Sequence, residues 1–302
     1  MGSHSAIAAE KTAAPAPCNL CGSRENVHLF TKRGYELVRC SHCDLAFIAN
    51  PPDAAALTAI YTASSSYHDQ LLDTGSAEYA RQTRIARQHI AMLRRFRPDP
   101  AGLKVVDIGC SSGIFLDQAR KAGMQPHGAE ISPETAAFAR DTLGLDVHQG
   151  DWRDAGHADG AFDIVTLFDV IEHLPDPFRE LRDLRRLLKP GGLLLQSTPD
   201  IGGLFPRLSQ KLADRLDYWP HPEPPHHLFQ FSQATLSHMT EEAGFTVEGA
   251  EHTSIDLAYN FGTPRHWRRS PKMIGYAALF APVAVIGEWL GQGDWLYLGA
   301  AR

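Results

Sequence analysis

Leu103-Lys-Val-Val-Asp107-Ile-Gly109-Cys-Ser-Ser-Gly113-Ile-Phe115 runs from an apolar strand, through a turn with glycines four apart, into a helical pattern. This is the strand–turn–helix of a nucleotide site. Gly109 lets the chain turn sharply, Gly113 lets the helix begin close to strand and ligand, and the helix start offers free backbone N–H groups. A pyrophosphate-binding turn wants G-x-G-x-x-G, whereas here Asp107 closes the strand and would repel a pyrophosphate. The turn suits a cationic ligand instead. Glu130, at the end of His127-Gly-Ala-Glu, lies about 20 residues on, where a ribose-binding acid belongs.

Outward from this turn, short apolar runs alternate with helical stretches, the mark of a largely parallel sheet covered on both faces. Strands are predicted at 103–108, 126–130, 146–149, 162–168, 192–197, 245–252 and 293–301. The fold class is therefore α/β, a seven-stranded doubly wound sheet.

Further motifs follow in order: Gly150-Asp151-Trp152 after the third of these strands, Ala161-Phe-Asp-Ile-Val-Thr-Leu-Phe-Asp-Val-Ile-Glu-His-Leu-Pro-Asp-Pro across the fourth, and Leu188-Lys-Pro-Gly-Gly-Leu into the fifth. With the glycine turn, this set resembles the class I S-adenosylmethionine-dependent methyltransferases, over about residues 103–302. The resemblance implies a Rossmann-like domain whose last strand runs antiparallel at the sheet edge. It also implies S-adenosylmethionine as cofactor, contacted by Asp107, Gly109, Cys110, Ser111, Gly113, Glu130, Ile131, Asp151, Trp152, Phe168 and Asp169. The loop Val170-Ile-Glu-His-Leu-Pro-Asp-Pro is similar to that of ubiquinone-biosynthesis O-methyltransferases.

The chain has 302 residues, 43% of them hydrophobic and 21% charged, which suits a soluble globular protein with a main core and an appended module. A net charge of −6 argues against a binder driven by phosphate backbones, so nucleic acid is not an expected partner. Of the five cysteines, Cys18, Cys21, Cys40 and Cys43 form a C-x2-C, eighteen residues, C-x2-C pattern, the spacing of a four-thiolate structural zinc site. Two disulfides are the competing reading. No secretory signal is apparent, and the default compartment is the cytoplasm.

The expected organisation is a disordered lead or tag at 1–14, a zinc ribbon at 15–50, a helical linker or cap at 51–98, and the methyltransferase domain at 99–302 with a lid insertion at about 199–228. In that insertion Leu204, Leu208, Leu212 and Leu216 repeat every four residues, as if on one helical face. The arginines of 81–97 read as a solvated helix face, with Tyr67 or Arg81 as weak candidates for the cofactor carboxylate. The apolar stretch 273–287 is too short to span a bilayer and reads as a buried or dimer-contact segment, with peripheral membrane contact as the alternative.

Methyl transfer from a sulfonium needs alignment, and a base only when the acceptor is protonated. The base candidates are His173, His226 and His227, because imidazole titrates near working pH. The expected reaction is O-methylation of a small-molecule acceptor: a sugar, a glycan precursor or a natural-product intermediate. A four-cysteine ribbon before this domain also resembles bacterial deoxysugar C-methyltransferases, but the chain ends soon after the seventh strand, without their further domain. The alternatives are an RNA base methyltransferase docking through the ribbon, and a cofactor-binding scaffold without turnover.

Overall fold

The computed structural model describes residues 16–62, 70–216, 218–254, 257–261 and 271–302. The lead at 1–14 and Tyr67 lie outside these. Two sheets organise the chain.

The first sheet is small and antiparallel, with β1 (Asn26–Lys32), β2 (Tyr35–Cys40), β3 (Ala46–Ile48) and a fourth strand from far along the chain. The second has seven strands: β4 (Lys104–Ile108), β5 (Gln125–Glu130), β6 (Asp146–Gln149), β7 (Phe162–Phe168), β8 (Leu188–Pro199), β10 (Thr246–Thr253) and β11 (Trp295–Ala301). Between β8 and β10, the two residues of β9 (Phe229–Gln230) pair antiparallel with β3 and complete the small sheet.

In the large sheet the order is β10-β11-β8-β7-β4-β5-β6. The five strands β4 to β8 are parallel, and β11 is antiparallel to both β8 and β10. One expectation is corrected here: the last strand is antiparallel but not at the edge, which β10 occupies. The edge placement comes from the resemblance; in the structure β11 inserts between β8 and β10 and pairs antiparallel with both.

Helices Ala77–Phe96, Ile114–Lys121 and Pro133–Asp141 cover one face through Ala86, Ile90, Leu93, Phe115, Leu116 and Ala139. Helices Pro177–Leu184 and Gln233–Glu242 cover the other through Leu181, Leu184, Leu236 and Met239. The long first helix starts where the Ser76 hydroxyl accepts from Tyr79 N, with Glu78 in its first turn and Arg94 and Arg95 in its last, all favourable to the helix dipole.

The insertion after β8 differs from expectation. It forms two short helices, Leu204–Gln210 and Ala213–Leu216, in place of one, and these helices bury Phe205, Pro206, Ser209 and Ala213. Leu208 and Leu216 are exposed. The aromatic cluster of Phe261, Tyr276 and Phe280 receives Phe205, so the phenylalanine rather than the leucines sets which face turns inward.

The insertion is also joined to the small sheet. Trp219, fully buried, meets Phe30 edge to face at 6.1 Å. The Lys32 ammonium donates to the carbonyls of Trp219, Pro220 and Pro222 at 3.1, 3.3 and 2.6 Å. Ile48 N donates to Leu228 O at 2.8 Å. The cysteine-bearing segment thus holds the stretch 218–230 in place over the carboxyl ends of the large sheet.

Helix Pro271–Trp289 buries Tyr276, Ala277, Phe280 and Ala284, and exposes Ile274, Leu279, Val285, Ile286 and Trp289. No helix among the described residues is long and apolar enough to cross a membrane.

Candidate active site

Strand β4 ends at Ile108 and the chain turns on Gly109, whose φ of +74° favours glycine. A Cβ there would come within 2.7 Å of Val170 Cγ2. Gly109 N and Cys110 N both donate to Ala129 O, tying the turn to the end of β5. At Gly113, φ +76°, a Cβ would press on Leu145 Cδ1 at 2.7 Å and Ala139 Cβ at 2.9 Å, so glycine alone lets the next helix sit this close.

The turn is the floor of a cavity of about 240 Å³. Asp107, Gly109, Cys110, Ser111, Phe168 and Asp169 line it from the strand ends. The opposite wall was not anticipated: Gln82, Ile85, Ala86 and His89 face the cavity from helix Ala77–Phe96. Their i, i+3, i+4, i+7 spacing was a readable signal, obscured because two of the four are polar. The His89 ring stacks on Phe168 with centroids 3.9 Å apart, and its Nδ1 bonds the Tyr297 hydroxyl at 2.8 Å. Burial lowers the His89 pKa to about 3, so the imidazole is neutral.

Acids gather beneath the turn. Asp107 is 4% exposed and accepts from the Thr166 hydroxyl at 2.6 Å. Burial, with the charges of Glu130 and Asp169 adding and Thr166 opposing, pushes its pKa up to about 7. Asp169 sits at φ +59° and accepts from the Ser197 hydroxyl at 2.6 Å. Its pKa is raised well above the usual range, by burial first and then by Glu172. Glu130 accepts from Ser111 N at 2.8 Å and Ser132 N at 2.7 Å, holding the turn from below. A concave site rimmed by such acids attracts a cation, and S-adenosylmethionine carries an ammonium and a sulfonium. The chemistry of these residues fits that cofactor.

The remaining expected cofactor residues lie outside the cavity lining. Ile131 is exposed. Asp151 bonds the backbone and guanidinium of Arg153. Trp152 is buried, donates to Glu180 Oε1 at 2.6 Å and lies beneath the Arg153 guanidinium. Arg81 is engaged with Glu78 on the same helix.

Beside Asp169, in the turn after β7, stand Glu172 and His173; His227 arrives from the insertion. Leu228 N donates to Glu172 O at 2.8 Å, fixing the two segments together. His173 Nδ1 donates to His226 O at 2.9 Å, which leaves Nε2 with the lone pair. The rings of His173 and His227 meet at 4.7 Å, nearly perpendicular. Burial lowers the pKa of both histidines, and both are neutral at pH 7. Burial pushes Glu172 up to about 8. Of the three histidines singled out in the sequence, His226 thus joins the group through its backbone carbonyl.

The four clustered cysteines are not joined by disulfides, and their sulfurs lie within 4.8 Å of one another, with Cys18–Cys43 and Cys21–Cys40 at 3.4 Å. At Cys40 burial opposes ionisation, but the N–H groups of His42 and Cys43 outweigh it and lower the thiol to about 7. Four sulfurs at this spacing fit a tetrahedral zinc.

The profile of the family described as "Methyltransferase domain" matches residues 77–249, more than half the chain. The ubiquinone biosynthesis O-methyltransferase of Xanthomonas oryzae pv. oryzae (strain PXO99A) is 36% identical over 108 residues, 34% of this chain and 45% of that protein. The chain therefore spans less than half the length of such curated relatives. Among solved structures, a chain of the complex containing the Haloferax volcanii Trm112 methyltransferase activator is 20% identical with a TM-score of 0.51, over 79% of this chain and 98% of that one. A protein of Pyrococcus horikoshii OT3 is 17% identical with a TM-score of 0.51, over 80% and 99%. These two likenesses show a shared fold.

Proposed function

The chain belongs to the methyltransferase-domain family, and on that premise we propose that it transfers the methyl group of S-adenosylmethionine to an oxygen of a small-molecule acceptor. The observation that carries this reading is the acid-rimmed cavity between helix Ala77–Phe96 and the Gly109–Gly113 turn, with the Glu172–His173–His227 group beside its Asp169 wall. The cofactor supplies an activated methyl on a positive sulfur. Asp107 takes the ammonium end, Glu130 shapes the turn toward the ribose, and stacked His89 and Phe168 close the cavity against water.

The acceptor hydroxyl is held at Glu172, His173 and His227, where loss of its proton is assisted. The segment 199–228 acts as a lid over this place, and residues 15–50 act as a zinc ribbon on Cys18, Cys21, Cys40 and Cys43. Zinc supplies folding energy to strands too few to bury a core alone, and the ribbon in turn anchors Trp219 and Leu228. The acceptor is a sugar, a glycan precursor or a natural-product intermediate; the named O-methyltransferase relatives favour oxygen as the methylated atom.

An acceptor screen tests the reading. Purified chain with S-adenosylmethionine should release S-adenosylhomocysteine with at least one hydroxylated sugar or phenol, and the product should carry the methyl on oxygen. Methylated nitrogen or RNA in place of oxygen would overturn the acceptor assignment.

A further inference from the structure

We propose that a second cavity, between helix Ala77–Phe96 and helix Ile114–Lys121, binds the diphosphate group of a small ligand. The inference stands apart from the acceptor reading above, because none of its lining residues lines the cofactor cavity.

The cofactor cavity meets the long helix at Gln82, Ile85, Ala86 and His89. The same spacing recurs five residues on as Arg87, Ile90, Ala91 and Arg94, which line the second cavity. Five residues carry a helix about 7.5 Å along and roughly 140° round, so the second set opens on a different side. Its volume is about 260 Å³. Buried Ile90 and the small side chains of Ala91 and Ala122 leave that room between the two helices.

Every charged side chain lining this cavity is a cation: Arg87, Arg94 and, from the second helix, Lys121. That stands against a chain whose net charge is −6. Other arginines of this stretch are neutralised, Arg81 by Glu78 and Arg95 by Glu251, both at 2.7 Å, and Arg97 by Glu248 at 2.9 Å. Among the described residues Arg87 and Arg94 form no ion pair, and Arg87 Nε reaches the Gln118 amide oxygen at 3.4 Å. Lys121 shares the Asp117 carboxylate with Arg120, which leaves one positive charge in surplus there. The carbonyls of Gln118, Ala119 and Arg120, at the negative end of the second helix, accept from Ala122 N and Gly123 N, so they do not face an anion bare.

Three cations around one concavity focus a positive potential, and a guanidinium fork matches phosphate oxygens two at a time. Arg87 and Arg94 stand seven residues apart, about 10 Å along the axis, too far for one phosphate to engage both forks. A diphosphate offers one phosphate to each, with Lys121 supplying the third charge from the facing helix. The bound group is a free diphosphate or its ester.

The test is calorimetric titration of the full zinc-loaded chain with pyrophosphate at about 50 mM salt, with S-adenosylhomocysteine present to occupy the cofactor cavity. One site is expected, with Kd below about 1 mM, and inorganic phosphate should bind about ten-fold more weakly. Arg87→Gln and Arg94→Gln should each weaken pyrophosphate about ten-fold, while thermal stability and S-adenosylhomocysteine affinity stay near wild type. Arg179→Gln removes an equal charge from an exposed position on the opposite face of the sheet and should change the affinity less than about two-fold. Uridine diphosphate separates the two sources: tighter binding than pyrophosphate assigns the site to an ester, weaker binding to free diphosphate. Absence of pyrophosphate binding overturns the site, as does an affinity unchanged in both cavity variants or lowered equally by Arg179→Gln. An RNA oligonucleotide that binds more tightly than pyrophosphate, and loses affinity in the same two variants, overturns the assignment to a small ligand.

Discussion

Asp107→Asn should stabilise the cofactor-free protein and weaken the cofactor at the same time. The buried carboxyl has its pKa raised from 3.8 to about 7, so keeping it charged in the fold is unfavourable. Between those values the unfolded chain is ionised while the native state holds a proton, and the native state therefore loses stability as pH rises. The loss is about 2 kcal/mol by pH 5.5 and levels off near about 4 kcal/mol above pH 7, at about 1.4 kcal/mol per unit. Asparagine keeps the bond from the Thr166 hydroxyl without the charge. The variant should match wild type near pH 4 and exceed it by up to about 4 kcal/mol at pH 8, or roughly 2–4 °C in Tm per kcal/mol. Calorimetric binding of S-adenosylmethionine should drop about ten-fold or more, through loss of a charge-assisted bond. Thermal melts from pH 4 to 8 decide the matter. A variant less stable than wild type at pH 8, or a gain independent of pH, would refute the reasoning.

Three further outcomes are expected. Metal analysis should find about one zinc per chain at the four cysteines, and chelation should expose the amides of β1 to β3 and β9 to hydrogen exchange, because the small sheet is built on that site; two disulfides by mass mapping would count against it. Gly128→Ala places a Cβ 2.7 Å from both Cys110 Sγ and Leu116 Cδ1, so it should cost about 1–3 kcal/mol in denaturant melts and loosen cofactor binding by displacing the turn. Trp219→Ala should cost about 3–5 kcal/mol, whereas Trp219→Phe should cost far less, since the buried indole N–H has no partner to lose.

The large sheet was legible because its strands are short apolar runs between glycine and proline breaks. β6 and β7 match their predicted bounds, and β4, β5, β10 and β11 fall within two residues of theirs. β8 is longer, since Lys189, Pro190 and Gly191 continue it at a register irregularity that apolarity does not signal. The glycine turn and the four cysteines were legible from spacing, because each motif is confined to a few neighbouring residues. Contacts between distant segments were not. A two-residue strand such as Phe229–Gln230 carries no periodicity, so its union with the small sheet had no signal in the sequence. Glu172 read as part of a loop motif, and only the fold brings His227 to it. His89 was hidden because the arginines around it dominate the charge pattern of its helix.

Calorimetric titration of S-adenosylmethionine into the purified chain and into Glu130→Ala tests the central claim most directly. Glu130 holds the turn through Ser111 N and Ser132 N, so the account predicts one site per chain, weakened about ten-fold or more in the variant. No binding to the wild-type chain, equal affinity in the variant, or tight NAD binding in its place would contradict it.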